Sequence, residues 1–173
     1  MTTLSRRSLL KLTGSTAAVG ALAISSRSLA QTPEHQAPAG STTLPYPNNI
    51  IAKMSELKVN EPLSFLYPDD ASPCVLIKKG KEVLAGAGPD KDIVAYSILC
   101  THMGCPVTYD AATETFKCPC HFSIFDPDKG GQMVCGQATE NLPRIILDYS
   151  GSDGSIKAVA VDGLIYGRQS NIL

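Results

Sequence analysis

Two short segments of the chain contain side chains that could bind a metal. Residues 100–105 have the sequence Cys-Thr-His-Met-Gly-Cys, and residues 118–123 have the sequence Cys-Pro-Cys-His-Phe-Ser. Thiolate and imidazole groups are ligands that both iron and zinc accept in proteins. The Cys-x-His spacing in the first segment and the Cys-x-x-His spacing in the second therefore predict one metal site with two cysteine and two histidine ligands.

A structural zinc site is the alternative use of these four side chains. Such sites usually combine two Cys-x-x-Cys or Cys-x-x-His segments without a disulfide bond beside them. Here each segment carries one additional cysteine, which favours iron. An absorption spectrum distinguishes the two, because zinc is colourless and a thiolate-ligated iron cluster is coloured.

The two segments resemble the Rieske iron-sulfur family, in which Cys-Thr-His-x-Gly-Cys and Cys-Pro-Cys-His-x-Ser hold a 2Fe-2S cluster. The resemblance implies that Cys100 and Cys118 bind one iron and that His102 and His121 bind the other. Neutral imidazoles in place of two thiolates make the cluster less negative, which raises its reduction potential to about −150 to +300 mV. The ligand set therefore predicts a carrier of single electrons, with no catalytic residue on this chain.

The same resemblance assigns roles to four further residues. It implies a disulfide bond between Cys105 and Cys120, and it places the hydroxyl of Ser123 against a bridging sulfide. Phe125 occupies a position where high-potential members have a tyrosine, whose hydroxyl lies near a cysteine sulfur. Because a hydrogen bond to sulfur stabilises the reduced cluster, Phe125 predicts a lower potential than in quinol-oxidising relatives.

The N-terminal residues predict export. Residues 5–11 have the sequence Ser-Arg-Arg-Ser-Leu-Leu-Lys, and a weakly apolar run of small residues follows before Ser28-Leu29-Ala30. Residues 1–30 resemble a twin-arginine signal peptide cleaved after Ala30, which predicts a periplasmic protein. The apolar run is shorter than the roughly twenty residues that span a bilayer, so we expect at most peripheral membrane association. An uncleaved segment kept as an anchor is the alternative.

The charge of the mature chain argues against a nucleic-acid partner. The 173 residues include 15 basic and 16 acidic side chains, and removal of residues 1–30 leaves 11 basic against 16 acidic side chains, a formal charge of −5. The one local concentration of lysines, at Lys78, Lys79 and Lys81, is interpreted as a solvated turn.

The remaining chain divides into an arm and one domain. Residues 31–47 are rich in proline and small polar residues, a composition that cannot bury a core and predicts a linker or arm. Residues 48–173 are predicted to form the Rieske-type domain. Short β-branched runs bounded by turn residues predict strands at 75–77, 93–99, 144–149 and 156–161.

These runs indicate an all-β fold, with a weak helical pattern only near 52–57. The resemblance implies antiparallel β-sheets that form a sandwich- or barrel-like base. It also implies a small cluster-binding lobe inserted between two strands, at about residues 99–136. Gly136 begins the segment that corresponds to the third loop of the family, which here lacks its prolines.

Two cysteines lie outside the site. Cys74 and Cys135 could form a second disulfide bond in the periplasm, or they could remain as buried thiols. The sequence leaves both alternatives open. The third histidine, His35, lies in the predicted linker and is expected to be solvated.

Several members of the family remain as candidates. The oxygenating subunit of a Rieske oxygenase is not among them. That subunit requires a second iron held by two more histidines, and residues 48–173 contain only His102 and His121. The signal, the segment 121–125 and the tail 161–168 resemble the small subunit of arsenite oxidase. That resemblance implies a molybdopterin-containing large subunit as partner and a periplasmic cytochrome c or cupredoxin as electron acceptor. A Rieske subunit of a cytochrome bc-type complex is the first alternative, and a domain whose metal only stabilises its fold is the second.

Overall fold

The structure is a computed structural model that describes residues 45–172. The predicted signal peptide, residues 1–30, and residues 31–44 of the predicted arm lie outside this range. Within it no helix is long and apolar enough to cross a membrane.

The described chain is built almost entirely of short strands. Its two helices are single 3-10 turns, Met54–Glu56 and Pro127–Lys129, and the first of these is all that the weak helical pattern near 52–57 produces. The strands are β1 (Asn49–Lys53), β2 (Leu63–Leu66), β3 (Pro73–Lys78), β4 (Ile93–Ser97), β5 (Thr108–Asp110), β6 (Thr115–Lys117), β7 (Ile124–Asp126), β8 (Gln132–Cys135), β9 (Arg144–Tyr149) and β10 (Ser155–Asp162).

Six of the strands form the base of the molecule. Their order is β1-β10-β9-β4-β3-β2, and the pairs with a determined register are antiparallel. The other four strands form a smaller antiparallel sheet in the order β5-β6-β7-β8. Since β5 to β8 lie in the sequence between β4 and β9, the small sheet is an insertion between two neighbouring strands of the base. The predicted all-β fold with an inserted lobe is confirmed.

Strands β3 and β4 are buried on both faces, which explains their continuous apolar sequences. Side chains alternate between the two faces of a strand. On one face Val75 and Tyr96 belong to the core shared with the small sheet, where Phe116 and Phe125 pack. On the other face Leu76 belongs to a second core within the base. The small sheet is therefore positioned by the central strands of the base.

The end of the predicted arm contacts the base. Tyr46 stacks on Tyr67 with ring centroids 6.4 Å apart, and the hydroxyl of Tyr67 donates a 2.9 Å hydrogen bond to the carbonyl oxygen of Pro47. Residues 45–47 thus form part of the folded domain, because an aromatic ring supplies the apolar contact that the surrounding prolines and small residues lack.

Candidate metal centre

The two predicted ligand segments form loops with the same backbone hydrogen bonds. In the first, Cys100 N donates to Cys105 O at 2.9 Å and Gly104 N donates to Cys100 O at 2.8 Å. In the second, Cys118 N donates to Ser123 O at 2.8 Å and Phe122 N donates to Cys118 O at 3.1 Å. The pattern is the same in both loops, so each loop presents its cysteine and its histidine from a similar turn.

The fifth residue of each loop has a left-handed backbone conformation. Gly104 has a φ of 73° in the first loop, and Phe122 has a φ of 60° at the equivalent position of the second. Glycine adopts this conformation freely, whereas a residue with a Cβ atom loses about 1 to 2 kcal/mol there. The second loop therefore retains a phenylalanine at a position whose backbone favours glycine.

A disulfide bond joins the two loops. Cys105 and Cys120 are bonded, with their Cα atoms 6.5 Å apart, as the family resemblance implies. The sulfur of Cys118 lies within 4.8 Å of these two sulfur atoms. Because the bonded sulfurs offer no thiolate, these three cysteines do not form a metal site of their own.

The four predicted ligands form two pairs in the structure, one of imidazoles and one of thiols. Nδ1 of His102 lies 3.2 Å from Nδ1 of His121, and the two rings are nearly perpendicular at 88°. Cys100 and Cys118 are buried, with exposed fractions of 1% and 2%. His121 is exposed and His102 is half-buried, so the two imidazoles differ in their access to solvent.

The surroundings of the Cys100 thiol fit a cationic group. Burial raises the pKa of Cys100, and the neighbouring thiol of Cys118 raises it further. Two adjacent buried thiolates are unfavourable without a cation, and metal binding removes that cost. Two buried sulfur donors and two facing imidazole nitrogens match the ligands of a Rieske 2Fe-2S cluster.

Ser123 connects the second loop to a third loop. Its buried hydroxyl oxygen accepts hydrogen bonds from Gln137 N at 3.1 Å and Ala138 N at 3.0 Å. Since both of these groups donate to the oxygen, the hydroxyl hydrogen is free to donate elsewhere. A Cβ atom on Gly136 would lie 2.3 Å from the Cα atom of Ser123, so glycine is required for this close approach.

Phe125 is fully buried in the core beneath the ligand loops. It lies on β7, directly opposite Phe116 of β6. The position therefore has the enclosed surroundings in which an added hydroxyl group would need a hydrogen-bond acceptor.

The first ligand loop is covered by the C-terminal segment, a contact that the sequence pattern did not predict. The ring of Tyr166 lies against Gly104. Arg168 holds this segment through a bidentate ion pair with Asp69, at 2.6 and 2.7 Å. Asn171 accepts a hydrogen bond from Ile165 N at 2.9 Å. The segment 161–168 carries the family resemblance, but no local pattern in it indicates a contact with residues so distant in sequence.

The interpretation of the three lysines as a solvated turn is wrong for Lys79. The side chain of Lys79 is fully buried, and its ammonium lies 3.0 Å from both Glu114 and Asp128. It also donates a 2.9 Å hydrogen bond to the hydroxyl of Tyr109. Lys81, which is exposed, pairs with the same two carboxylates at 3.0 and 2.9 Å. We call these five side chains the lysine cluster.

The lysine cluster joins the base to the inserted lobe. Lys79 and Lys81 follow β3 of the base, whereas the two carboxylates and Tyr109 belong to the segment that carries the small sheet. Burial alone would lower the pKa of Lys79, but its hydrogen bonds to Tyr109, Glu114 and Asp128 outweigh burial and raise it. A buried cation is tolerated here because the inserted lobe supplies its counter-charges.

Cys74 and Cys135 do not pair in the structure. Cys74 is a buried free thiol in the base, and Cys135 is an exposed free thiol on β8. Of the two alternatives, the disulfide bond is not formed, and only Cys74 is a buried thiol as the other alternative expected.

A cavity of about 580 Å³ lies beside the first ligand loop. It is lined by Thr101, Gly130, residues 140–144 and residues 162–168, and its lining contains no cysteine or histidine. It is therefore separate from the four predicted ligands.

Comparisons with known proteins identify the family of the domain. A sequence profile of the Rieske [2Fe-2S] domain matches residues 48–146. The chain is 46% identical over 129 residues to the iodate reductase subunit IdrB of Denitromonas iodatirespirans, an alignment that covers 73% of this chain and 69% of the relative. It is 43% identical over 128 residues to IdrB of Pseudomonas sp. (strain SCT), covering 72% of this chain and 66% of the relative.

Other relatives match over a shorter region. The Rieske subunit of the cytochrome bc1 complex of Streptomyces lividans is 46% identical over 68 residues, which cover 39% of each chain.

Among solved structures, the soluble domain of Rieske protein II (soxF) from Sulfolobus acidocaldarius is similar, with a TM-score of 0.63 and 25% identity over 72% of this chain and 82% of that chain. The plasma membrane Rieske protein PetC3 from Synechocystis PCC 6803 has a TM-score of 0.51 and 27% identity over 65% of this chain and 99% of that chain.

The paired loops, the two ligand pairs and these matches lead to the same conclusion. The chain belongs to the Rieske [2Fe-2S] family and binds one 2Fe-2S cluster as an electron-transfer protein.

Proposed function

We propose that this protein is the electron-transfer subunit of a periplasmic oxidoreductase whose larger subunit converts an oxyanion at a molybdopterin centre. The observation that supports this most is the extent of similarity to the iodate reductase subunits. Those alignments cover 73% and 72% of the chain, against 39% for the bc1 Rieske subunit. Similarity over both the inserted lobe and the base favours a shared partner as well as a shared cluster.

Each part of the site has a role in this function. When bound, the cluster accepts and releases one electron. Cys100, Cys118, His102 and His121 are the residues that would hold it, and the buried thiols keep water away from the sulfur side. Electron transfer becomes slower as the distance through the protein increases. The exposed ring of His121 therefore offers a partner a shorter path to the cluster than the half-buried ring of His102.

Iodate reductase and arsenite oxidase are the two candidate activities. Two relatives whose alignments cover more than 70% of the chain are named as iodate reductase subunits, which favours the first. The resemblance of the signal, of residues 121–125 and of the tail 161–168 to arsenite oxidase favours the second. The direction of electron flow differs, since iodate reduction consumes electrons and arsenite oxidation releases them. A periplasmic cytochrome c or cupredoxin would be the electron donor in the first case and the acceptor in the second.

Purification of the native complex tests this proposal. The tagged subunit should co-purify with a larger subunit, and the complex should contain molybdenum in addition to iron. Reduced complex should be reoxidised by iodate, or oxidised complex should be reduced by arsenite. Haem with tight membrane association would instead support the cytochrome bc-type alternative, and iron without molybdenum would indicate a free carrier.

Export by the twin-arginine route is part of the proposal. The twin arginines Arg6 and Arg7 support it, as does the disulfide bond between Cys105 and Cys120, since such bonds persist in the periplasm. In a cell-fractionation experiment the wild-type protein should be periplasmic and lack residues 1–30. The double substitution Arg6→Lys with Arg7→Lys should leave it uncleaved in the cytoplasm.

A further inference from the structure

We propose that Phe122 is the docking residue of this subunit, and that its ring inserts into an uncharged, apolar surface of the catalytic subunit beside His121. This inference rests on the proposed function, because it requires a catalytic subunit as partner. It specifies the face that binds, the imidazole that lies closest to the partner and the chemistry of the partner surface.

The backbone of Phe122 is the first argument. Phe122 and Gly104 are equivalent positions in two loops with the same hydrogen bonds, and both have left-handed backbones, with φ of 60° and 73°. Gly104 has a local reason to be glycine, since the ring of Tyr166 covers it. At Phe122 glycine would relieve the backbone, so the phenylalanine side chain does not serve the loop itself.

The exposure of the ring is the second argument. Phe122 is 78% exposed, the largest exposed fraction among the large hydrophobic side chains of residues 45–172 that lie on the surface. An exposed aromatic ring gains no burial energy within its own domain. The strained backbone and the hydrated ring are both unfavourable in the isolated subunit, and a partner that buries the ring would offset them.

The loops around the histidine pair carry a second exposed apolar side chain and no charged one. Met103 follows His102 as Phe122 follows His121, and Met103 is 58% exposed. Because the two imidazoles are in contact, both apolar side chains lie next to the same histidine pair. The loop residues 100–106, 118–123 and 134–139 contain no Asp, Glu, Lys or Arg, and the first such residue after them is Glu140.

The lack of charge indicates the kind of partner. Transient redox partners are often brought together by opposite charges, and their association then weakens with salt. Long-lived interfaces bury apolar side chains at their centre, where aromatic residues contribute most to affinity. The surface formed by the two ligand loops, with the exposed Phe122 and Met103, resembles a long-lived interface. We therefore assign it to the permanent catalytic subunit and not to a diffusing cytochrome c or cupredoxin.

The test compares the affinities of Phe122 variants for the purified catalytic subunit. Phe122→Gly should weaken binding by about thirtyfold, since a buried aromatic anchor commonly contributes this much. Phe122→Tyr should retain most of the affinity, because it keeps the ring. Leu84→Ala is the matched control: Leu84 is 62% exposed but lies between β3 and β4, outside the ligand loops, and its removal should leave binding unchanged.

Two further measurements keep the result interpretable. The isolated Phe122→Gly subunit should be at least as resistant to unfolding as the wild type and should show an unchanged cluster spectrum, which excludes misfolding as the cause of weak binding. The wild-type dissociation constant should change little between low and high salt.

The proposal is wrong if Phe122→Gly binds the catalytic subunit as tightly as the wild type, or if wild-type binding weakens steeply with salt. A wild-type subunit that co-purifies with no molybdenum-containing partner would overturn the proposed function itself. That outcome is observed with the wild type before any variant is made, so the two failures are distinguishable.

Discussion

The ring of Tyr166 covers Gly104 so closely that a Cβ atom on the glycine would lie 2.5 Å from Cδ1 of the ring. Gly104 lies between the predicted ligand His102 and the disulfide-bonded Cys105, so the C-terminal segment buttresses the first ligand loop. The contact links the shape of the metal site to a residue far away in the sequence.

Replacement of Gly104 by alanine should destabilise this loop. Gly104→Ala combines a left-handed backbone with a steric clash, and we expect a loss of about 2 to 4 kcal/mol in the free energy of unfolding. Gly151→Ala is the control, because a Cβ atom there would meet no atom within 4 Å. Thermal unfolding and iron content of both variants measure the effect. Tyr166→Ala in the Gly104→Ala background should recover part of the loss, and an absence of recovery would show that the clash with Tyr166 is not its source.

Removal of the Ser123 hydroxyl should lower the reduction potential. In Ser123→Ala the cluster loses a hydrogen-bond donor worth about 1 kcal/mol, which corresponds to about 40 mV for a one-electron couple. The amide groups of Gln137 and Ala138 also lose their acceptor, so stability should fall. Ser72→Ala is the control, since Ser72 is equally buried and bonds to Asp69 in the base. A redox titration should show a shifted potential for Ser123→Ala and an unshifted one for Ser72→Ala.

Introduction of a hydroxyl at position 125 should raise the reduction potential. Phe125→Tyr restores the group that high-potential relatives carry, and a new hydrogen bond to a cysteine sulfur would raise the potential by roughly 40 mV. Phe116→Tyr is the matched control, because Phe116 is equally buried and lies opposite Phe125, but packs against Tyr96 and Tyr109. A fall or an unchanged potential in Phe125→Tyr would contradict the assigned role of this position.

The lysine cluster should make stability depend on pH. The ammonium groups of Lys81 and Lys79 lower the pKa of Glu114 below its ordinary value of 4.5. Burial would raise the pKa of Asp128, but its hydrogen bonds to the same two lysines outweigh burial and lower it below 3.8. Carboxylates with lowered pKa values stabilise the fold above their unfolded pKa, and this contribution is lost as pH falls through their folded pKa. The raised pKa of Lys79 adds stability below 10.5 that is lost only as pH rises through its folded pKa.

Substitution of Lys79 tests this dependence. Lys79→Met should cost about 3 kcal/mol at neutral pH, because it leaves the carboxylates of the lobe without their buried partner. The difference from the wild type should shrink as pH falls and the carboxylates become protonated. Lys81→Met is the control and should have the smaller effect, since Lys81 is exposed and screened by solvent. Urea unfolding at neutral and acidic pH measures both. An equal difference at the two pH values would show that the charges of the cluster do not contribute.

The chemistry of the centre could be read from the sequence because it depends on residue type at short spacing. Cysteine and histidine at Cys-x-His and Cys-x-x-His are sufficient to predict the ligands. The four predicted strands correspond to β3, β4, β9 and β10, because β-branched runs between turn residues have few alternatives. The other six strands, β1, β2 and β5 to β8, were not predicted. The pairing of Cys105 with Cys120 followed from the family resemblance.

The tertiary structure decided the features that depend on contacts between distant segments. Lys79 is buried because Glu114 and Asp128 reach it from the inserted lobe, and Tyr166 meets Gly104 because the chain returns to the first ligand loop near its end. His121 is more exposed than His102, but the two histidines are the fourth and the third residues of their turns, so local position alone can account for that difference. Local sequence sets which groups a turn presents, whereas burial and partner charges arise only when remote segments pack together. Such a long-range contact distinguishes Gly104, which Tyr166 covers, from Phe122, which occupies the equivalent position of the second loop and is exposed.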